Sequence, residues 1–495
     1  MHTVFSHPRR SPVSWQWVAA VWTVMAGAAL GETLEELQTR AKSGDAEALT
    51  ALADRQQTGI GAPVDLTAAV KGYQQAAAKG NLRATTRLGR LHLVGIAIDK
   101  NSIKALNCFR TAAEGGDTDA MCYLGMMRLK GAGTRRDPPE AISWFRKAAE
   151  AGNPRGMLNL SMALAGTHSD MPAKIAARRK EASEWHDKAR IKLQVTADSG
   201  DAESMLILGT IYVQAGQANE ANRKRGEALY KRAVELGSTE AMRLFGLLHA
   251  DGAGGERDPD QCLDWWRKAA DRGDPEAMYM LAVTYRDGTL AVKDVAATNQ
   301  WSEKAANGGH PGGMWLLANA YQHGDGLPKD DQKSRDWYSR SAQLGYGPGL
   351  TMLGLIYAEG RGMAKDETSA AMFFRGAADQ GDPEGAFQLA KAYAAGRGLA
   401  QSDLEAVRWY KAAAIDNHTE AILALGSLSA AGRGVPKDEK EGAFWYRIAA
   451  KHGNVEAMRA LAEAYRTGAG VKADPKQAAE WDEKAKAAAK GEPRG

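Results

Sequence analysis

Glycine pairs of the form Gly-x-Gly recur along this chain, as at Gly360–Gly362 and Gly432–Gly434, and such turns could cradle a phosphate. Phosphate binding of that kind needs GxxxxGK(S/T), or a strand running into GxGxxG. Neither is present, and a turn found in segment after segment of one chain is structural. The ten histidines are scattered, without an HExxH pair to suggest a zinc enzyme. His168, Asp170, Glu184 and His186 share one irregular stretch, where a metal site competes with plain solvated side chains. No Ser-x-x-Lys appears with the companion motifs of a penicillin-recognising serine enzyme. Asn417-His418-Thr419 is a formal glycosylation sequon. These patterns assign no catalytic residue, no metal ligand and no cofactor.

What positions all of these residues is a period. A shift of 36 residues carries Gly273–Gly308 onto its own pattern: Gly309-His310-Pro311 opens the next copy, and Trp337 stands where Trp301 stood. Twelve units can be written, starting at Gly44, Gly80, Gly116, Gly152, Gly200, Gly237, Gly273, Gly309, Gly345, Gly381, Asn417 and Gly453. Their common form is G-(D/N)-x-x-A-x-x-x-L-(G/A)-x-x-Y-x-x-G-x-G-(V/L)-x-x-D-x-x-x-A-x-x-W-(Y/F)-x-x-A-A. A period in this range marks a repeat array, each unit being one supersecondary element.

Each unit reads as two helices. Its opening residue is Gly, or once Asn, the types that enter the left-handed region most cheaply after a helix end. Asp or Asn follows as an N-cap, and Pro154, Pro275, Pro311 and Pro383 occupy the first helical position, where the missing N–H costs nothing. Glu47, Glu203, Glu240, Glu276 and Glu384 put negative charge in the first turn. The fifth, ninth, tenth and thirteenth positions share one face, as with Gly313, Leu317, Ala318 and Tyr321. After the Gly-x-Gly turn a second helix opens at pairs such as Asp137-Pro138, Asp258-Pro259 and Asp474-Pro475, or at the capping box Ser402–Glu405. It carries Ala at position 26, Trp at 29 and Ala at 33 and 34. Such a helix pair has no core of its own and must stack on its neighbours.

LGLIYAEGRGMAKDETSAAMFFRGAA and LGSLSAAGRGVPKDEKEGAFWYRIAA are similar to the Sel-1-like repeat (SLR), a relative of the tetratricopeptide repeat. The resemblance runs in register over roughly nine-tenths of the chain. It implies an all-α fold, a right-handed α/α solenoid of about twelve helix-turn-helix repeats, used as an adaptor for assembling protein complexes. Some secreted bacterial members have paired cysteines in each unit and a reported penicillin-binding or β-lactamase-like activity. This chain lacks that cysteine pattern, so the activity is not carried over.

Charge excludes little except nucleic acid. Lys plus Arg number 64 and Asp plus Glu 60, interspersed over 495 residues with no basic stripe. The first 31 residues differ: Arg9 and Arg10 precede an apolar run from Val13 to Leu30, and Ala29-Leu30-Gly31 ends it with small residues. That is the architecture of a cleaved secretory leader, with an uncleaved anchor as the alternative. No later segment is apolar enough to span a membrane. Export to the periplasm or the medium is therefore expected.

Residues 32–43 should form a capping helix, Leu34 to Lys42, opened by a box of Thr33 and Glu36. Repeats one to four occupy 44–199. The fourth is twelve residues longer than the rest, its turn runs from Gly166 to Pro172, and one long helix is expected from Ala173 to Asp198. The fifth repeat has lost its Gly-x-Gly turn, so a boundary is expected between residues 199 and 200. Repeats five to twelve and a closing helix fill 200–490, and 491–495 are a tail.

Three cysteines allow at most one intramolecular bond. Cys262 replaces the small residue at position 26 and reads as a packed thiol. Cys108 and Cys122 lie at similar heights on adjacent helices, either as a disulfide or as two buried thiols. For a partner, the candidate surface is the first-helix face. Position 7 reads Tyr279, Trp315, Thr351 and Phe387 in consecutive repeats, with Met280 and Leu316 beside the first two. Those residues either pack between repeats or form an apolar groove for a protein or peptide. The functional expectation is a non-enzymatic, exported scaffold that mediates protein–protein interactions. The alternative is an envelope hydrolase or carbohydrate-active enzyme with its site in the groove.

Overall fold

The computed structural model describes residues 33–58, 65–94, 98, 101–165, 172–215, 219–251 and 257–489. The expected leader, 1–31, and the turn at 166–171 lie outside them. Among the described residues there are 25 helices and no strand. A single helix, Leu34–Lys42, is followed by twelve pairs, from Ala46–Thr58 with Leu66–Ala78 to Val455–Thr467 with Pro475–Ala489. Contacts divide the chain into two compact units, residues 1–309 with the lone helix and seven pairs, and residues 310–495 with five. Each unit is an all-α solenoid. The division does not fall at the irregular repeat: Leu193 and Ala197 share one cluster with Met205, Leu208 and Tyr230, so the core runs unbroken past residue 199.

Local chemistry fixes where the helices begin and end. Thr33 and Glu36 form the capping box of Leu34–Lys42. Asp117, Asp274 and Asn454 accept the backbone N–H three residues on, the first bond of helices Thr118–Lys130, Pro275–Asp287 and Val455–Thr467. Between paired repeats the chain reverses through a left-handed residue. Gly116 has φ 99°, its N–H goes to Ala113 O, and Asp117 N–H reaches back to Ala112 O at 2.9 Å. Among the described residues Asn417, at φ 61°, is the one non-glycine with positive φ. It is the position where the repeat pattern has Asn for Gly.

Gly-x-Gly does two separate jobs. Its first glycine ends the helix in the left-handed region, as Gly432 does at φ 71°. Its second lies against the start of the preceding repeat's second helix: a Cβ on Gly434 would overlap Asp403 O, and one on Gly398 or Gly470 would overlap Glu367 O or Glu439 O. The glycines are therefore an inter-repeat contact, with no room left for a phosphate.

In most pairs the small tenth residue faces a ring at position 30, though the units that open at Gly273 and Gly453 have Ser302 and Asp482 there. A Cβ on Gly125 would come within 2.5 Å of Phe145, and Gly354 and Gly426 stand in the same way against Phe374 and Tyr446. Ala318 packs on Tyr338, which has no exposed surface. Position 30 is thus the buried ring, whereas the more recognisable Trp at 29 is half-buried, with a Lys drawn over it in Trp144/Lys147, Trp265/Lys268 and Trp301/Lys304. The long helix of the fourth repeat is Pro172–Asp198, 27 residues against the usual 13. Its buried residues are Ala182, Ala189, Leu193 and Ala197, and none is buried from Lys174 to Glu181.

The left-handed caps give a direct test. Gly381 has φ 82°, and a Cβ placed there would meet nothing within 4 Å, so Gly381→Val is penalised by backbone conformation alone, at more than about 1 kcal/mol. Asn417→Gly should be neutral or slightly stabilising. Thermal melting of the two variants measures the difference.

Candidate partner-binding surface

Position 7 of several first helices, the heart of the expected groove, meets the N-cap residue of the next repeat in the same unit, 31 residues on. Arg243 Nε donates to Asp274 Oδ2 at 3.2 Å, Thr351 Oγ1 donates to Asp382 Oδ2 at 2.5 Å, and Cys122 Sγ lies 3.8 Å from Asn153 Oδ1. Apolar pairs obey the same spacing. Trp315 meets Tyr346 edge-on at 6.5 Å between centroids, and Phe387 stacks on His418 at 4.4 Å. The reason is geometric: successive first helices run parallel, so the start of one lies beside the second turn of the one before.

Trp315 and Phe387 are nevertheless only half-buried. Trp315 packs on Ala318, Tyr338 and Ile356, and its Nε1 is buried without a hydrogen-bond partner. Lys391 Nζ lies 5.2 Å from the centre of the Phe387 ring. In the first unit Tyr279 is half-buried, and Met280 packs against the cluster of Cys262, Trp266 and Leu281. Leu316 must be corrected. At 5% exposure it belongs to the core, whereas Met280, at the same position one repeat earlier in the first unit, is half-buried.

Before Tyr279 the first-helix face of the first unit carries charge. Asp54 accepts from Arg87 Nε at 3.1 Å, Arg83 Nη2 at 2.7 Å and Tyr73 Oη at 2.7 Å. Arg155 pairs with Glu203. Glu240, at 2% exposure, has an Oε1 with no hydrogen-bond partner. Burial pushes its carboxyl up to about 7; Asp274 adds to the effect, while Arg243, Arg155 and Arg90 oppose it. Buried ion pairs of this kind fix which surfaces fit together, and contain no nucleophile held by a base.

Of the fourth-repeat set, His168 and Asp170 lie outside the described residues, while Glu184 is exposed and His186 half-buried. Among the described residues no group of three His, Cys, Asp or Glu could hold a metal ion. All three cysteines are free thiols. Burial pushes the Cys122 thiol far up and raises Cys108 as well. Cys108 borders Gly89 of its own repeat, whereas Cys122 faces Asn153 of the next.

The Sel1 repeat model matches residues 46–81, 82–117, 118–153, 202–238, 239–274, 275–310, 311–346, 348–382, 383–418, 419–454 and 455–489, well over half of the chain. This chain belongs to the Sel1 repeat family. Proteins of the family are generally non-catalytic scaffolds for protein–protein interaction. A protective antigen of uropathogenic Escherichia coli with an SLR fold is 27% identical, covering 93% of this chain and 91% of its own, at a TM-score of 0.46. A Sel1 repeat protein from Oxalobacter formigenes is 31% identical over 48% of this chain and 99% of its own, at 0.43. An immunity protein of Pseudomonas aeruginosa is 24% identical over 46% of this chain and 73% of its own, at 0.27. Among curated proteins no match is found.

The stretch between the matches at 153 and 202 is that of the lengthened fourth helix pair, which the repeat model leaves unmatched, while the fifth pair, without Gly-x-Gly, still matches. A second inter-repeat contact is one that the repeat pattern alone does not reveal. The Tyr at position 13 of a Sel1 repeat receives the Arg at position 31 of the repeat before it: Arg267 Nη2 to Tyr285 Oη at 2.8 Å, Arg447 to Tyr465 at 3.4 Å, and Arg375 to Tyr393. Its signal is present in the sequence, since Arg follows the paired aromatics in Trp265-Trp266-Arg267, Phe373-Phe374-Arg375 and Trp445-Tyr446-Arg447.

Glu240 yields a pH prediction. A carboxyl whose folded pKa is raised to about 7 binds its proton more tightly in the fold, so stability falls as pH rises from about 4.5 to 7. Glu240→Gln should remove that loss and be more stable above pH 7, by an amount on the order of 3 kcal/mol. The advantage should vanish in acid. Paired melting curves across that pH range measure it.

Proposed function

We propose that this Sel1 repeat protein is an exported adaptor that holds a protein or peptide partner through the half-exposed rings of its first helices. The observation that carries the proposal is the run of eleven Sel1 repeats, a family of interaction scaffolds. The surface is narrowed to Trp315 and Phe387 in the second unit and to Tyr279 with Met280 in the first. Each of these keeps part of its side chain exposed while its position is fixed by packing, the condition for a preformed binding anchor. Export is supported by Arg9, Arg10 and the apolar run that ends at Ala29-Leu30-Gly31. No described helix is long and apolar enough to cross a membrane.

Three measurements test it. N-terminal sequencing of the mature protein should begin between Ala29 and Glu32, and an intact Met1 would overturn the export reading. Crosslinking with affinity purification should recover a partner that Phe387→Ala and Trp315→Ala lose while still folded. Trp315→Ala should cost roughly 3 kcal/mol, at the low end for a truncated core Trp, because the ring is only half-buried.

A further inference from the structure

One imidazole holds the joint between helices Pro383–Ala395 and Thr419–Ala431. His418 caps the second of them, its Nδ1 accepting Ala421 N–H at 3.3 Å. Its Nε2 lies 2.9 Å from Glu384 Oε2, and its ring stacks on Phe387. The side chain is 11% exposed. In other repeats Asp382 or Asn454 caps the same place through a carboxylate or carboxamide oxygen. An imidazole differs from these in accepting a proton within the physiological range.

A ring nitrogen that accepts from a backbone N–H carries no hydrogen of its own. The neutral ring is therefore the Nε2–H tautomer, donating to Glu384. A second proton can enter only at Nδ1, and there it expels Ala421 N–H. An acceptor for it stands close by, Glu420 Oε2, 3.4 Å from Nδ1. We propose that His418 is a proton-operated clamp between these two repeats: protonation transfers Nδ1 from the Ala421 amide to the Glu420 carboxylate, and turns the Nε2–Glu384 hydrogen bond into an ion pair.

The surroundings favour the charged ring. Glu384 faces it from helix Pro383–Ala395, where Gln388 holds the other carboxylate oxygen at 2.6 Å. Glu420 faces it from its own helix. Lys391 lies over Phe387, and Tyr410, from helix Asp403–Ile415, sits 5.9 Å from Phe387. Burial opposes the charge, but Glu384 and Glu420 outweigh it and raise His418 above the ordinary histidine value. Reciprocally, the hydrogen bond from His418 holds the Glu384 carboxyl low. Phe387 adds attraction for an imidazolium on its face. Because the folded pKa is raised, the stabilisation is complete below about pH 6.5 and is lost as pH rises through the folded value. Acid tightens the joint.

The test uses the full chain labelled with 15N-histidine and 15N-alanine and titrated across the histidine range. The His418 ring should titrate above about pH 6.5, and the Ala421 amide should shift with the same midpoint. Glu384→Gln and Glu420→Gln should each lower that midpoint. A His418 midpoint at or below the ordinary value, or an Ala421 amide that ignores it, overturns the clamp. His418→Asn keeps a capping oxygen and so keeps the fold, and should remove this site's share of the acid-side gain in melting temperature. An unchanged pH profile in that variant would equally overturn it.

Discussion

No helix pair in this chain can bury its apolar face alone, and the structure is organised around the contact that solves this. Two spacings of 31 residues run through it in opposite directions. Position 7 reaches forward to the next N-cap, as Thr351 does to Asp382, and the second glycine of the turn reaches back to the preceding helix, as Gly434 does to Asp403. Both need very close approach. One is met by matched side chains and the other by having no side chain at all.

The matched pairs vary in chemistry while their place stays constant. Arginine meets aspartate at Arg243–Asp274, hydroxyl meets carboxylate at Thr351–Asp382, and ring meets ring at Trp315–Tyr346 and Phe387–His418. A solenoid whose joints were all alike could slip by one repeat at little cost. Pairs of different polarity penalise that slip, because it would leave Arg243 buried without its partner. The side chains that give each joint its identity are the same ones that periodicity offers as a binding groove.

The caps, periods and helix limits were legible in the sequence because they rest on contacts a few residues apart. Asp at a helix start, Gly or Asn at φ > 0 and the box of Thr33 with Glu36 need no knowledge of the fold. The long helix Pro172–Asp198 was legible too, from an uninterrupted run without Gly or Pro. The candidate surface was legible only as a row. Periodicity could place Trp315 and Leu316 side by side, but it could not say that one residue's rotation about a helix axis separates a half-exposed ring from a buried leucine.

The sequence by itself thus determined the repeat, its helix pairs, its caps and its family resemblance, all carried by local geometry and by recurrence in register. Only the tertiary structure decided what each recurrent residue faces. It showed the ring at position 30 filling the space left by Gly125 or Gly354, the arginine at position 31 reaching a tyrosine in the next repeat, and Glu240 sealed among arginines. Those outcomes depend on how neighbouring pairs rotate and tilt against one another. That relation is set by the sum of many contacts between repeats, and no single window of sequence contains it.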